Sequence, residues 1–214
     1  ENIFKIAQKS LIKIFPTNYL NLSEEKKIKV LSSIKRNIPL DHFKDELAIS
    51  TLGSIRAMKT IQNANGEKGS NRYIISNNQS SLNILEVFTM FRLSDWESPS
   101  VDIIPLFETI SDLKVASKVM ESVYSNSVYK NHLAQRNNKQ TIMLGFSDGT
   151  KDGGYLMANW SILKAKEALT SISRKYGIKV IFFDGRGGPP ARGGGNTHQF
   201  YSSMGDFVES DEIQ

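Results

Sequence analysis

The chain has 214 residues, 39% hydrophobic and 23% charged, which are the proportions of a folded globular protein and exclude wholesale disorder. It contains no cysteine, which rules out a disulfide scaffold, a thiolate zinc site, an iron–sulfur cluster and a thiol nucleophile. The formal net charge is +5, but the cations are scattered and the C-terminal residues are acidic, the pattern of a solvated face rather than a nucleic-acid stripe. No run approaches the roughly 18 apolar residues of a membrane span, and the Lys-dotted start is not a signal peptide. The expectation is a soluble, cytoplasmic protein without a nucleic-acid or membrane partner. His42, His132 and His198 are far apart in the chain, so a poly-His metal centre is not expected.

The first sixty residues read as helical. Ile3, Phe4, Ile6, Leu11 and Ile14 form an apolar stripe that Pro16 ends. Ser23 followed by Glu24 and Glu25 starts a second helix, carried by Ile28, Leu31 and Ile34 toward a stop at Pro39. A third runs from about Phe43 to Met58, and the polar stretch from Asn63 to Asn71, with Gly66 and Gly69, reads as a loop. From Arg72 onward short apolar runs alternate with helical patterns. Tyr73–Ser76, Val101–Leu106, Thr141–Leu144 and Val180–Phe183 are the strand candidates, the first of them read as buried. A long helix is expected from about Tyr155 to Tyr176. Strands alternating with helices describe parallel βα units, in either a doubly wound sheet or part of a (β/α)₈ barrel. Both architectures place function at the C-terminal strand ends.

Glu108 follows the second run, Asp148 the third and Asp184 the fourth. Carboxylates repeated at these positions converge on one mouth of a parallel sheet, where hard oxygen ligands suit Mg²⁺ or Mn²⁺. Each is equally suited to capping the helix that follows. The third strand end, Gly145 to Gly154, begins like a calcium loop with Asp148, Thr150, Asp152 and Gly153. It then fails, since the twelfth place is Asn159 rather than Glu. It is read as a flexible turn that places Asp148 and Lys151 beside a helix N-terminus. The fourth, Asp184 to His198, carries Arg186 and Arg192 among Gly187, Gly188, Gly193, Gly194 and Gly195. Two guanidinium forks among glycines suit phosphate or carboxylate binding; an Arg-Gly segment with loose RNA affinity is the alternative.

GFSDGTKDGGYLMANW (Gly145 to Trp160) and FDGRGGPPARGGGNTH (Phe183 to His198) closely resemble two signature segments of phosphoenolpyruvate carboxylase, and PLFET (Pro105 to Thr109) resembles a third, in matching order and separation. The resemblance is strong from about Tyr73 to Met204. It implies an α/β fold that is part of a (β/α)₈ TIM-type barrel with additional helices. Residues 1–62 would be a helical segment packing on the barrel, 72–205 the partial barrel, and 206–214 an acidic tail at a truncation point. Since family chains are several times longer, the resemblance implies an internal fragment, inactive alone, of an enzyme that assembles as a homotetramer. The implied reaction makes oxaloacetate and phosphate from phosphoenolpyruvate and bicarbonate, through carboxyphosphate and an enolate, with Mg²⁺ or Mn²⁺. By resemblance Glu108 and Asp148 match the metal ligands, and Lys151, Arg186 and Arg192 the catalytic cations. Arg186 and Arg192, with Gly187, Gly188, Gly193 and Gly194, match the substrate-binding segment. A phosphate- or carboxylate-binding module without catalysis is the competing reading.

The chain departs from the family pattern at one position of consequence. Most members carry His before Gly-Arg-Gly-Gly; this chain carries Asp184, an anion where a cation is possible. No role of that His transfers to it.

Overall fold

A computed structural model describes residues 15–34, 37–39, 43, 45–185 and 197–212. The apolar stripe from Ile3 to Ile14 and His42 lie outside these. The chain divides into two units, one holding the described residues up to Arg72 together with Leu82–Val101, the other Tyr73–Ser81 and the chain from Asp102 onward.

In the first unit Ser23 has an extended backbone ahead of α1 (Glu24–Ser33), whose first turn holds Glu24 and Glu25 where the helix dipole favours anions. The helix stops at Ser33, well before Pro39, because Ile34 turns extended. Asp45 caps α2 (Glu46–Asn65) by accepting from the Ala48 amide at 2.9 Å. This helix runs past Met58 into the expected loop, since nothing from Lys59 to Asn65 breaks it, and Gly66 ends it with a φ of +84°. Ala48, Leu52, Ile55 and Gln62 are buried along one face. The Gln62 amide is fully used: it donates to the Ser70 and Ser100 carbonyls at 2.7 and 3.0 Å and accepts from Ser100 Oγ at 2.7 Å. A short 3₁₀ turn, Glu67–Gly69, occupies the rest of the expected loop. The helix α3 (Ser81–Leu93) buries Ile84, Leu85, Val87, Phe88, Met90, Phe91 and Leu93. Apolar residues all round a helix are the pattern of a fully buried one. Trp96 packs edge-on against Phe91 at 5.7 Å, as expected of a core aromatic.

The second unit holds the sheet. The strands are β1 (Arg72–Ile75), β2 (Asp102–Phe107), β3 (Lys139–Gly145) and β4 (Lys179–Gly185), in spatial order β1-β2-β3-β4. The β2–β3 and β3–β4 pairs are parallel, with Phe107 opposite Leu144 and Gly145 opposite Gly185. Strand order equal to chain order is the winding of a barrel segment, whereas a doubly wound sheet reverses direction at a switch point. The described strands form an open four-stranded sheet, so an α/β fold is present and is compatible with part of a barrel. Burial corrects one expectation: β1 is an edge strand, half exposed, with Ile74 44% accessible. A short apolar run does not reveal whether a neighbour covers it.

The helices α4 (Ile110–Ser125) and α5 (Ser127–Gln135) connect β2 to β3, and α6 (Phe146–Lys175) connects β3 to β4. Leu113, Ala116, Met120 and Val123 of α4 and Ala158, Ile162, Ala165 and Leu169 of α6 are buried at helical spacing, as are Ile103, Ile104, Ile142, Leu144, Val180 and Phe182 on the strands. Gln140 stitches the layers: its amide donates to the Ile103 carbonyl at 2.9 Å and its oxygen accepts from Tyr129 Oη at 3.0 Å. His132, 3% exposed beside Tyr129, is a core residue, as expected. A last short helix, α7 (Thr197–Ser202), follows β4. Among the described residues no helix is long and apolar enough to cross a membrane.

Candidate active site

The three strand-end carboxylates have three different surroundings. Glu108, directly after β2, does not cap α4. Thr109 does that in a capping box, accepting from the Asp112 amide at 3.1 Å while Asp112 accepts from the Thr109 amide at 3.0 Å. Glu108 instead turns toward the end of β1, where its Oε2 accepts from the Asn77 amide at 2.9 Å. A carboxylate with an anchored oxygen that is not spent on its own helix retains capacity for a further partner.

Asp148 lies in the first turn of α6, 49% exposed in its side chain, and pairs with Lys151 Nζ at 2.9 Å. The segment expected to be a flexible turn is helical here: α6 starts at Phe146, and the break falls later, at Gly154 with φ +79°. The glycines serve close packing rather than turning. A Cβ on Gly145 would stand 3.1 Å from Glu108 Cα, and one on Gly149 3.5 Å from the Glu108 carbonyl oxygen. A Cβ on Gly153 would meet Ile110 at 3.0 Å. The first turns of α6 thus lie directly against the backbone of Glu108 and the start of α4. Asp152 fastens the same contact by accepting from the Ile110 amide at 3.0 Å. Asp152 therefore holds the two elements together. This packing sets the first turn of α6, which carries Asp148, against the Glu108 backbone at the C-terminal ends of adjacent parallel strands.

Asp184 does not join them. Its side chain is 3% exposed, 2.8 Å from Lys166 Nζ, itself 1% exposed, and it accepts from Tyr201 Oη at 2.9 Å. The expectation that all three strand-end carboxylates converge is corrected for Asp184, whose charge is matched inside the fold. Among the described residues no group of three or more His, Asp or Glu side chains is arranged to hold a metal ion. Two carboxylates nevertheless fit Mg²⁺, which binds through one or two carboxylates, completes its shell with water and substrate phosphate, and favours hard oxygen donors.

Arg186, Gly187, Gly188, Arg192, Gly193 and Gly194 lie outside the described residues. His198, on α7, is exposed. Trp160, expected in packing, is 56% exposed beneath Lys164 Nζ, 4.9 Å from its ring, in an apolar run with Tyr155 and Leu156 beyond the Gly154 break. Sequence reasoning missed Lys166 and Tyr201. The available signal was a lysine on the buried face of a helix, four residues after Ile162.

A sequence model of a protein family described as phosphoenolpyruvate carboxylase matches residues 5–203.

Proposed function

Because the chain belongs to the phosphoenolpyruvate carboxylase family, we propose that it supplies the metal and phosphate ligands of an enzyme that carboxylates phosphoenolpyruvate with bicarbonate. The observation that supports this reading is the packing of Gly145 and Gly149 on the Glu108 backbone, beside the turn in which Asp148 pairs with Lys151. The sequential strand order supports reading the sheet as part of a (β/α)₈ barrel with its active site at this end. Assembly as a homotetramer belongs to the same proposal.

In the proposed reaction a bicarbonate oxygen bonds to phosphorus, and the bond from phosphorus to the enol oxygen breaks, leaving the electron pair on an enolate. The carboxyphosphate so formed splits into carbon dioxide and phosphate, which keeps the bicarbonate proton. The enolate methylene carbon then bonds to carbon dioxide, giving oxaloacetate. Glu108 and Asp148 would hold Mg²⁺ or Mn²⁺, which supplies Lewis-acid stabilisation of the oxygens that gain charge. Lys151 balances Asp148 and adds a cation to the same mouth. Arg186 and Arg192 are assigned to the phosphate, whose three oxygens match planar guanidinium forks.

The test is bicarbonate-dependent oxaloacetate formation by the intact protein, read by coupling to NADH oxidation, with Mg²⁺ varied. Asp148→Asn is expected to lower Mg²⁺-supported activity by roughly 10²-fold or more, since it removes a charged donor from a shell with few protein ligands. Activity equal to the parent at every Mg²⁺ concentration removes Asp148 from the metal shell.

A further inference from the structure

The chain leaves β1 through a conformation that side chains rarely adopt. Asn77, just past Ile75, has a φ of +51°, in the left-handed region where a Cβ crowds the following carbonyl oxygen and where Asn is several-fold enriched. This angle decides where two amides point. The N–H groups of Asn77 and Asn78 flank the Asn77 Cα, so the rotation there fixes one relative to the other. An extended residue would turn them to opposite sides of the chain, whereas a left-handed one turns both to the same side, the arrangement that suits anions. Here both reach the end of β2. The Asn77 amide donates to Glu108 Oε2 at 2.9 Å, and the Asn78 amide to the Leu106 carbonyl at 3.2 Å.

The Asn77 side chain is exposed, and its Oδ1 accepts from Gln79 Nε2, two residues on, at 3.3 Å. What the residue gives to the carboxylate mouth is therefore its backbone, and its side chain can be replaced without disturbing the core. Glu108 is only half-buried, so without this bond its carboxylate would be loosely held. With Oε2 tied to β1, Oε1 is the oxygen left for a cation. Bonds of this kind orient metal-binding carboxylates, and backbone strain gathers where a site depends on it. We propose that Asn77 is a positioning residue, whose left-handed backbone holds Glu108 through Oε2 and so sets the affinity of the mouth for a divalent cation. The inference deepens the carboxylase reading and rests on its assignment of Glu108 as a metal ligand; it does not rest on the reaction.

The experiment uses Mn²⁺ as the probe, its binding to the intact protein followed by loss of the free-ion electron paramagnetic resonance signal, beside urea denaturation midpoints. Asn77→Gly keeps a positive φ at no steric cost, whereas in Asn77→Val the β-branch makes that φ an outlier. Mn²⁺ should bind about tenfold more weakly to Asn77→Val and within about twofold of the parent to Asn77→Gly. A role in stability alone would lower the midpoint of Asn77→Val and leave its Mn²⁺ affinity parental, a result that overturns the proposal. Equal weakening in both variants also overturns it, since the carboxamide rather than the backbone would then be responsible. Should Asn77→Val fail to fold, Asn77→Ala decides: a loss of about threefold to fivefold is expected, and parental affinity overturns the proposal. Glu108→Gln identifies the ion, and parental Mn²⁺ affinity in that variant, or no Mn²⁺ bound by the parent, overturns it as well. Absence of oxaloacetate formation by a parent that binds Mn²⁺ refutes the carboxylase reaction instead, and the comparison of Mn²⁺ affinities then decides the positioning alone.

Discussion

Gly145→Ala tests the contact on which the site depends. Gly145 has φ −85° and ψ 112°, values any residue adopts, so alanine meets no backbone penalty there. The obstacle is steric. The new methyl would stand 3.1 Å from Glu108 Cα, 3.4 Å from the Phe107 carbonyl oxygen and 3.5 Å from Glu108 Cγ. Two of these are backbone atoms at the end of β2, in a ladder where Phe107 pairs with Leu144, so they cannot rotate away as a side-chain tip does. Relief requires the ends of β2 and β3 to part by a few tenths of an ångström. Overpacking of this kind costs about 1–3 kcal/mol, offset by roughly 0.4–1 kcal/mol from the smaller conformational freedom of alanine in the unfolded chain. A net loss of about 1–2 kcal/mol is expected. Because the displaced atom is Glu108 Cα itself, Mg²⁺ should be needed at roughly tenfold higher concentration, the equivalent of about 1.4 kcal/mol. The assay is a Mg²⁺ titration of oxaloacetate formation together with the thermal midpoint. Gly53→Ala is the control, since no atom lies within 4 Å of its added methyl. It sits within α2, where alanine is the better helix former, and should leave stability unchanged or slightly raised. Identical midpoints and Mg²⁺ dependence for Gly145→Ala and the parent would refute the claim that close packing here places Glu108.

Two further predictions concern buried groups. Lys166→Met should destabilise by about 3–5 kcal/mol by leaving Asp184 an uncompensated interior anion, and adding Asp184→Leu should recover most of that loss. Denaturation midpoints of the two variants check it; a double variant no more stable than the single one contradicts the reasoning that the unpaired Asp184 charge is what destabilises Lys166→Met. Tyr124 and Tyr129 titrate above the usual tyrosine value of 10.0, chiefly because burial disfavours the phenolate, against a smaller opposing effect from the bonds to Ser173 and Gln140. The folded state therefore keeps protons that the unfolded chain releases above about pH 10, so stability is full below that pH and declines as pH rises through and beyond it. Denaturant midpoints measured from pH 8 to about 11 should fall less steeply in the Tyr124→Phe/Tyr129→Phe variant than in the parent. Equal slopes would show that these phenols do not carry the alkaline limb.

The alternation of apolar runs with helical stripes placed all four strands within about two residues, because burial on both faces of a parallel strand and on one face of a helix is written in local periodicity. The positions of Glu108 and Asp148 just past β2 and β3 were legible for the same reason, whereas Asp184 falls within β4, one residue before its end. Periodicity says nothing about which neighbour arrives from elsewhere in the chain, and each correction has that origin. The first strand reads like the others, yet its place at the sheet edge leaves Ile74 exposed. The Gly145–Gly153 tract has the composition of a turn, and it is helical because the missing side chains let α6 lie against Glu108 and Ile110, contacts made across some forty residues. The three carboxylates look alike in sequence, but Asp184 is withdrawn from the mouth by Lys166, eighteen residues earlier on another element. Local pattern determined the elements and their order; partner, exposure and the burial of charge were decided by tertiary packing, since desolvation depends on everything that surrounds a group and not on its neighbours in the chain.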